Sequence, residues 1–168
     1  AGVGGLSLGF NQNGFHTLFA NDNDPAASET FMKNHTETYF IEKDIENISE
    51  KDVSSLIDNK KTHVLMGGIP CQSFSMAGYR NRKGIDNSKD PRHFLYKQFF
   101  RILDISNPDI AVIENVKGII SANKGTVLNA IIDSFLNRGY SVDYKALNAA
   151  NFGVPQTRER VFVIANNI

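Results

Sequence analysis

Cys71 is the only cysteine of the 168-residue chain, and it follows a rigid proline in Gly67-Gly68-Ile69-Pro70-Cys71-Gln72-Ser73-Phe74-Ser75. The apolar run His63 to Met66 that leads into the paired glycines has the pattern of a buried central strand stopping at a crevice. In an open α/β sheet that crevice is where ligands bind, so the spacing sets Cys71 at its mouth, as a nucleophile acting through its thiolate. The competing reading is a buried cysteine serving as a small hydrophobe. Three distant segments weigh for chemistry: Ala1 to Gly5, Glu114-Asn115-Val116, and Gln156-Thr157-Arg158-Glu159-Arg160. Together they supply what attack of a thiolate on a pyrimidine ring requires.

Each segment has an ordinary reading beside the chemical one. The apolar run Ile110 to Ile113 delivers Glu114 to the same sheet edge as Cys71, although a glutamate ending an apolar strand is as often exposed and inert. Arg158 and Arg160 flank Glu159, so on a strand both point to one face. There they would stabilise negative charge building on a ring, or form a surface ion pair of small worth, with Pro155 and Gln156 shaping the turn before them. The turn Ala1-Gly2-Val3-Gly4-Gly5 lets backbone approach a ligand closely and aims helix N-terminal amides at it, but it is not Gly-x-Gly-x-x-Gly. Asp22, after the next strand, sharpens it, because a carboxylate there accepts from ribose hydroxyls. From Arg80 to Arg101 the chain carries Arg80, Arg82, Lys83, Lys89, Arg92, Lys97 and Arg101 against Asp86 and Asp90. Such a segment either holds phosphates or is a solvated loop and helix face.

Pro70-Cys71-Gln72-Ser73-Phe74-Ser75, Glu114-Asn115-Val116 and Gln156 to Arg160 occur in the order of the motifs Pro-Cys-Gln-x-Phe-Ser, Glu-Asn-Val and Gln-x-Arg-x-Arg. In this the chain resembles the DNA cytosine-5 methyltransferases of the bacterial restriction-modification type, over nearly its whole length. The resemblance implies an α/β, Rossmann-like fold: a mostly parallel sheet with helices on both faces and an antiparallel last strand. It implies methyl transfer from S-adenosylmethionine to C5 of a flipped-out cytosine through a covalent Cys71–C6 intermediate, giving S-adenosylhomocysteine without a metal. Cys71, Glu114, Arg158 and Arg160 are then catalytic, with Arg160 against the cytosine O2. Gly2, Val3, Gly4, Gly5, Asp22, Asn23, Asp44, Ile45, Pro70 and Leu95 fall to the cofactor, and Gln72, Ser75, Arg80, Arg92, Asn115 and Val116 to substrate and DNA.

Two positions depart from the family pattern. Asp22 stands where glutamate is commoner, which shortens its reach to the ribose. Asn23 stands where many relatives carry a large apolar or aromatic residue against the adenine. Relatives also begin with an apolar strand that feeds the glycine turn, and continue into a target-recognition domain and a closing helix. The expectation is therefore one catalytic and cofactor-binding domain over 1–168, truncated at both ends, with double-stranded DNA and a missing or separate recognition segment as partners. The resemblance leaves room for a subunit of a split enzyme, a tRNA cytosine-5 methyltransferase, and a non-catalytic regulator that binds the cofactor or DNA.

Composition fits this frame: 41% hydrophobic and 21% charged residues are ordinary for a soluble α/β domain. Zero formal net charge gives the whole chain no global nucleic-acid signature. No apolar run approaches the roughly 20 residues that cross a bilayer, and a lone cysteine suits a reducing compartment; the resemblance implies a bacterial cytoplasmic, nucleoid-associated protein. Alternating patterns predict helices at Leu6 to Asn13, Pro25 to Asn34, Ser49 to Asp58, Pro91 to Ile105 and Val127 to Asn137. Strands are expected at His16 to Ala20, Thr38 to Ile41, His63 to Met66, Asp109 to Ile113, Ser141 to Leu147 and Arg160 to Ala165. Phe94, Leu95, Phe99, Ile102 and Leu103 recur at helical spacing as a core face.

Overall fold

The computed structural model describes residues 1–69 and 95–168. The chain divides into two compact units, Ala1–Thr62 with Asp104–Asn107, and His63–Leu103 with Pro108–Ile168. It is an α/β protein with parallel strand pairs and a last strand antiparallel to both its neighbours.

In the first unit the chain enters α1 (Gly5–Asn11) from a glycine turn. β1 (Phe19–Asp22) and β2 (Tyr39–Glu42) pair in register from Phe19 opposite Tyr39 to Asp22 opposite Glu42. A parallel pair needs a crossover, and α2 (Pro25–Asn34) provides it. Its start is set by chemistry legible in the sequence: the Asp24 side chain accepts from the Ala26 and Ala27 N–H groups, and Pro25 fills the first turn, where a missing N–H costs nothing. α3 (Glu50–Ile57) opens with a reciprocal cap, Ser49 Oγ accepting from the Asp52 N–H and Asp52 Oδ2 accepting from the Ser49 N–H. Phe31 and Val53 are fully buried in this unit.

The second unit holds a sheet of order β3-β4-β6-β5, with β3 (Val64–Gly68), β4 (Ile110–Val116), β5 (Ser141–Asn148) and β6 (Glu159–Asn166). Along β6 the buried residues Val161, Val163 and Ala165 alternate with more exposed ones, the period of a strand with one face in the core. That core gathers Phe99, Phe100 and Leu103 of α4 (Leu95–Ser106) with Leu128, Ile131 and Phe135 of α5 (Thr126–Leu136) against Ala111, Ile113 and β6. Phe135 is its hub: its ring lies 6.2, 4.7 and 5.8 Å from those of Phe99, Phe100 and Tyr140. Phe99 also explains a glycine. A Cβ added to Gly67 would lie 2.8 Å from the Phe99 ring, so β3 carries no side chain where α4 crosses it.

α2 spans the residues expected of it, while strand ends moved. β1 lies at Phe19–Asp22 rather than His16 to Ala20, because its extent is set by pairing with β2. β3 runs on through both glycines, and β4 runs past Glu114 to Val116, because backbone pairing with Gly68 on one side and with Phe162, Val161 and Arg160 on the other continues whatever the side-chain polarity. β6 opens at Glu159, one residue ahead of the expected Arg160, with Arg158 immediately before it. The short turns Ile45–Asn47, Lys117–Ile120, Ala122–Gly125 and Ala149–Phe152 were not legible beforehand. The expected start of α4 at Pro91, and Phe94, lie outside the described residues.

Phe135→Ala removes a ring with no exposed surface and should cost about 3–5 kcal/mol. Denaturant unfolding of the intact protein checks this, and a loss below about 1 kcal/mol would show that the core closes over the gap.

Candidate active site

The chemistry-bearing edge of the second unit is built by strand register. Parallel pairing sets Gly68 opposite Glu114, and a Cβ at Gly68 would lie 3.6 Å from Glu114 Oε2, so the carboxylate stands beside a bare stretch of backbone. On the other side Val116 faces Arg160 and Glu114 faces Phe162. Directly opposed residues of an antiparallel pair share a face and diagonal neighbours lie within reach of a long side chain. Arg160 Nε accordingly reaches Glu114 Oε1 at 2.9 Å, with both side chains about a quarter exposed. Arg160 Nη1 also donates to the Glu159 carbonyl. Lys117 Nζ lies 2.9 and 3.0 Å from the two carboxylate oxygens of Glu159.

Asn115 points the other way. Alternation puts Ala111, Ile113 and Asn115 on the core face of β4, where Asn115 is 3% exposed. Its Nδ2 donates to the Ile69 carbonyl at 2.9 Å, and its Oδ1 accepts from the Val116 N–H. One amide hydrogen of Asn115 is thereby engaged on the peptide that leads into Pro70 and Cys71, and its oxygen on the next residue of β4. Val116, the last residue of β4, is 40% exposed. Arg158 is exposed, and its backbone N–H donates to Asn148 Oδ1.

The first unit presents a second polar cluster. Asp22, at the end of β1, is held by its loops: Oδ2 accepts from the Gly2 N–H at 2.6 Å, and Oδ1 from the Asp24 N–H at 3.0 Å. Burial alone would raise its pKa, but these donors outweigh burial and hold the carboxyl below the ordinary aspartate value. Asp44 accepts from the Glu46 N–H, capping the turn Ile45–Asn47, and its other oxygen lies 3.5 Å from Asn23 Nδ2. A nucleoside ligand fits here. Gly2 and Gly5 have nothing within 4 Å of where a Cβ would be, leaving the turn's backbone open, and an ionised Asp22 offers lone pairs to hydroxyl donors.

The structure thus brings Glu114, Asn115, Val116 and Arg160 together, and separately Gly2, Asp22, Asn23 and Asp44. Val3 and Gly5 are exposed in the turn, and Ile45 and Leu95 half-buried. Pro70, Cys71, Gln72, Ser75, Arg80 and Arg92 lie outside the described residues. Among the described residues no group of three or more His, Cys, Asp or Glu could hold a metal, and no helix is long and apolar enough to cross a membrane.

A family model for C-5 cytosine-specific DNA methylases matches residues 1–167. The chain belongs to that family. The Type II methyltransferase M1.HphI of Haemophilus parahaemolyticus is 38% identical over 98% of this chain and 43% of its own length. M.AquIA of Picosynechococcus is 39% identical over all of this chain and 70% of its own. Among solved structures, a prophage-encoded E. coli protein superposes with a TM-score of 0.81 at 28% identity, covering 98% of this chain and 44% of that one. The chain spans less than half the length of M1.HphI. Glu114, Asn115 and Val116 form the end of β4, and Arg160 is the partner of Glu114.

Asp22 carries a pH signature. Its folded-state pKa is depressed, so its contribution to stability is complete above the ordinary aspartate value and is lost as pH falls through the folded value. The stability advantage of the wild type over Asp22→Asn should shrink between about pH 5 and pH 2. Urea unfolding across that range checks it, and a constant gap would contradict the assigned hydrogen bonds.

Proposed function

We propose that the chain is the catalytic and cofactor-binding part of a DNA cytosine-5 methyltransferase of a restriction-modification system, one domain acting on double-stranded DNA in the bacterial cytoplasm. The observation that carries this is the Glu114–Arg160 pair beside Gly68, with Asn115 fixing the carbonyl before Pro70-Cys71. A carboxylate and a guanidinium side by side match the edge of cytosine: Glu114 accepts from the exocyclic amine and shares a proton with N3, while Arg160 donates to O2. Thymine, with a carbonyl in place of that amine, would meet Glu114 oxygen to oxygen.

Cytosine C5 is too weak a nucleophile to take a methyl group unaided, and covalent catalysis divides the problem. The Cys71 thiolate adds to C6, and the electron pair displaced from the C5–C6 double bond gathers toward C5 and N3, where Glu114 and Arg160 stabilise it. S-adenosylmethionine, when bound by the glycine turn and Asp22, supplies an electrophilic methyl group and leaves as S-adenosylhomocysteine. Loss of the C5 proton to a base then re-forms the double bond and expels Cys71. The base must leave the helix stack for this chemistry. Asn115 acts through the chain, by holding the peptide that presents Pro70 and Cys71. Arg158 stands with the catalytic groups, Gln72, Ser75, Arg80, Arg92 and Val116 fall to substrate and DNA, and Asn23, Asp44, Ile45, Pro70 and Leu95 to the cofactor.

Covalent trapping in the intact protein tests this. With S-adenosylmethionine and duplex DNA carrying 5-fluorocytosine, the fluorine blocks the final elimination. A denaturation-resistant adduct should form, vanish in Cys71→Ala, and form far more slowly in Glu114→Gln. An adduct that persists in Cys71→Ala would refute the assigned nucleophile, and trapping of an RNA stem-loop in preference to the duplex would move the substrate to RNA. Asn115→Ala should lower kcat by about tenfold or more, equivalent to about 1.4 kcal/mol in the barrier, with KM for S-adenosylmethionine little changed. A change in that KM alone would remove Asn115 from the Cys71 side of the reaction.

A further inference from the structure

We propose that His35 is a positioning residue for the cofactor turn: its imidazole is the floor on which Gly4 rests, and the stack beneath that ring sets the position of the Gly2 N–H against Asp22. The assignment rests on the cofactor placement proposed above. His35 is 7% exposed, an unusual degree of burial for a residue with two polar ring nitrogens. Its backbone is tied on both sides, its N–H donating to the Phe31 carbonyl and its own carbonyl accepting from the Thr38 N–H. Neither ring nitrogen hydrogen-bonds to another described residue, so the imidazole acts through its face and its edge.

The face lies on Phe31, with ring centres 4.3 Å apart and planes at 26°. Phe31 in turn packs on Phe40 of β2 at 4.8 Å. The edge meets the turn: a Cβ added to Gly4 would lie 2.3 Å from His35 Nε2, 2.6 Å from its Cδ2 and 2.9 Å from Phe31 Cδ2. A flexible side-chain tip would yield to such a contact. A ring clamped against a fully buried phenylalanine does not. Gly4 has φ 93°, so two independent constraints, the left-handed backbone and the ring beneath it, require glycine there.

A continuous set of contacts therefore runs from Phe40 through Phe31 and His35 to Gly4, and along the turn to the Gly2 N–H, which donates to Asp22 Oδ2 at 2.6 Å. Asp22 itself stands on β1, whose partner strand carries Phe40. The stack is thus a spacer between the parallel pair and the turn. It fixes the distance between the two groups proposed to hold the nucleoside.

Calorimetric titration of the intact protein with S-adenosylmethionine, beside steady-state kinetics, tests this. His35→Ala should weaken affinity about tenfold while kcat at saturating cofactor stays within about twofold. His35→Phe, which keeps a flat ring on Phe31, should stay within about threefold of wild-type affinity. If His35→Ala fails to fold, His35→Leu fills the volume without a flat face and should show the same loss. Gly4→Ala should weaken binding further than His35→Ala, and the double variant should bind better than Gly4→Ala alone, since the ring that blocks the methyl group is gone. Wild-type affinity in His35→Ala, a loss in His35→Phe equal to that in His35→Ala, or strictly additive losses at the two positions would each overturn the assignment. Asp22→Ala separates the two readings. Weakened binding there with normal binding in His35→Ala overturns only the role of His35, and normal binding in both overturns the cofactor placement and this inference with it.

Discussion

The hydrogen bond from Asn115 Nδ2 to the Ile69 carbonyl decides where the chain goes after its last paired residue. The β3–β4 ladder ends with Gly68 opposite Glu114. One residue further a parallel strand would take its next bond from backbone, but here a side chain supplies the donor. Proline at position 70 has no N–H, so the peptide entering Pro70-Cys71 cannot be anchored by that residue's own amide. A buried amide left without partners would cost about 1–3 kcal/mol; Asn115 avoids that cost only in the arrangement that also holds Ile69. Alternation along β4 makes the device possible, because the residue after Glu114 necessarily faces the core. Adjacent positions thus do different work, Glu114 outward and Asn115 inward.

The first unit uses short polar side chains in a similar way. Asn21 Nδ2 donates to the carbonyls of Ile41 and Lys43, closing the end of the β1–β2 pair. Asp22 takes its donors from the residues before α1 and before α2, so its carboxylate is placed by two loops rather than by its own strand. Burial works against the charge and the donors work for it, and the donors prevail. A carboxylate kept ionised in this way is an acceptor ready for hydroxyl groups.

Much of this was legible in the sequence where chemistry is local. Pro25 and Ser49 marked the starts of α2 and α3, and the apolar run to Ala165 marked a strand. What local pattern could not give was pairing. The true ends of β1, β3 and β4 follow their partners, and β6 opens one residue before the expected Arg160 because Glu159 pairs with Asn148. The motif residues were identifiable by type, yet the inward role of Asn115 depends on a contact across 46 residues of chain. Its signal was present in the core-facing rhythm of Ala111, Ile113 and Asn115 and was hidden by the company of Glu114. The seat of Gly4 on His35 had no local signal: a histidine ending a helix and a glycine in a turn are each unremarkable alone.

The Glu114–Arg160 pair shows why the polar edge is kept at all. With side chains about a quarter exposed, such a pair contributes little net stability: attraction across partly solvated space is offset by desolvation and by the entropy of holding two long side chains. A fold selected for stability alone would be served as well by an apolar cross-strand pair beside Phe162 and Val116. Register, however, confines both groups to one face of β4 and β6, and their mutual contact orients them before any ligand arrives. For a planar ligand offering a donor and an acceptor on one edge, that preorientation removes ordering cost from binding. It also aims fixed charge at the place where negative charge grows during the proposed reaction. The worth of the pair therefore lies in direction rather than in strength.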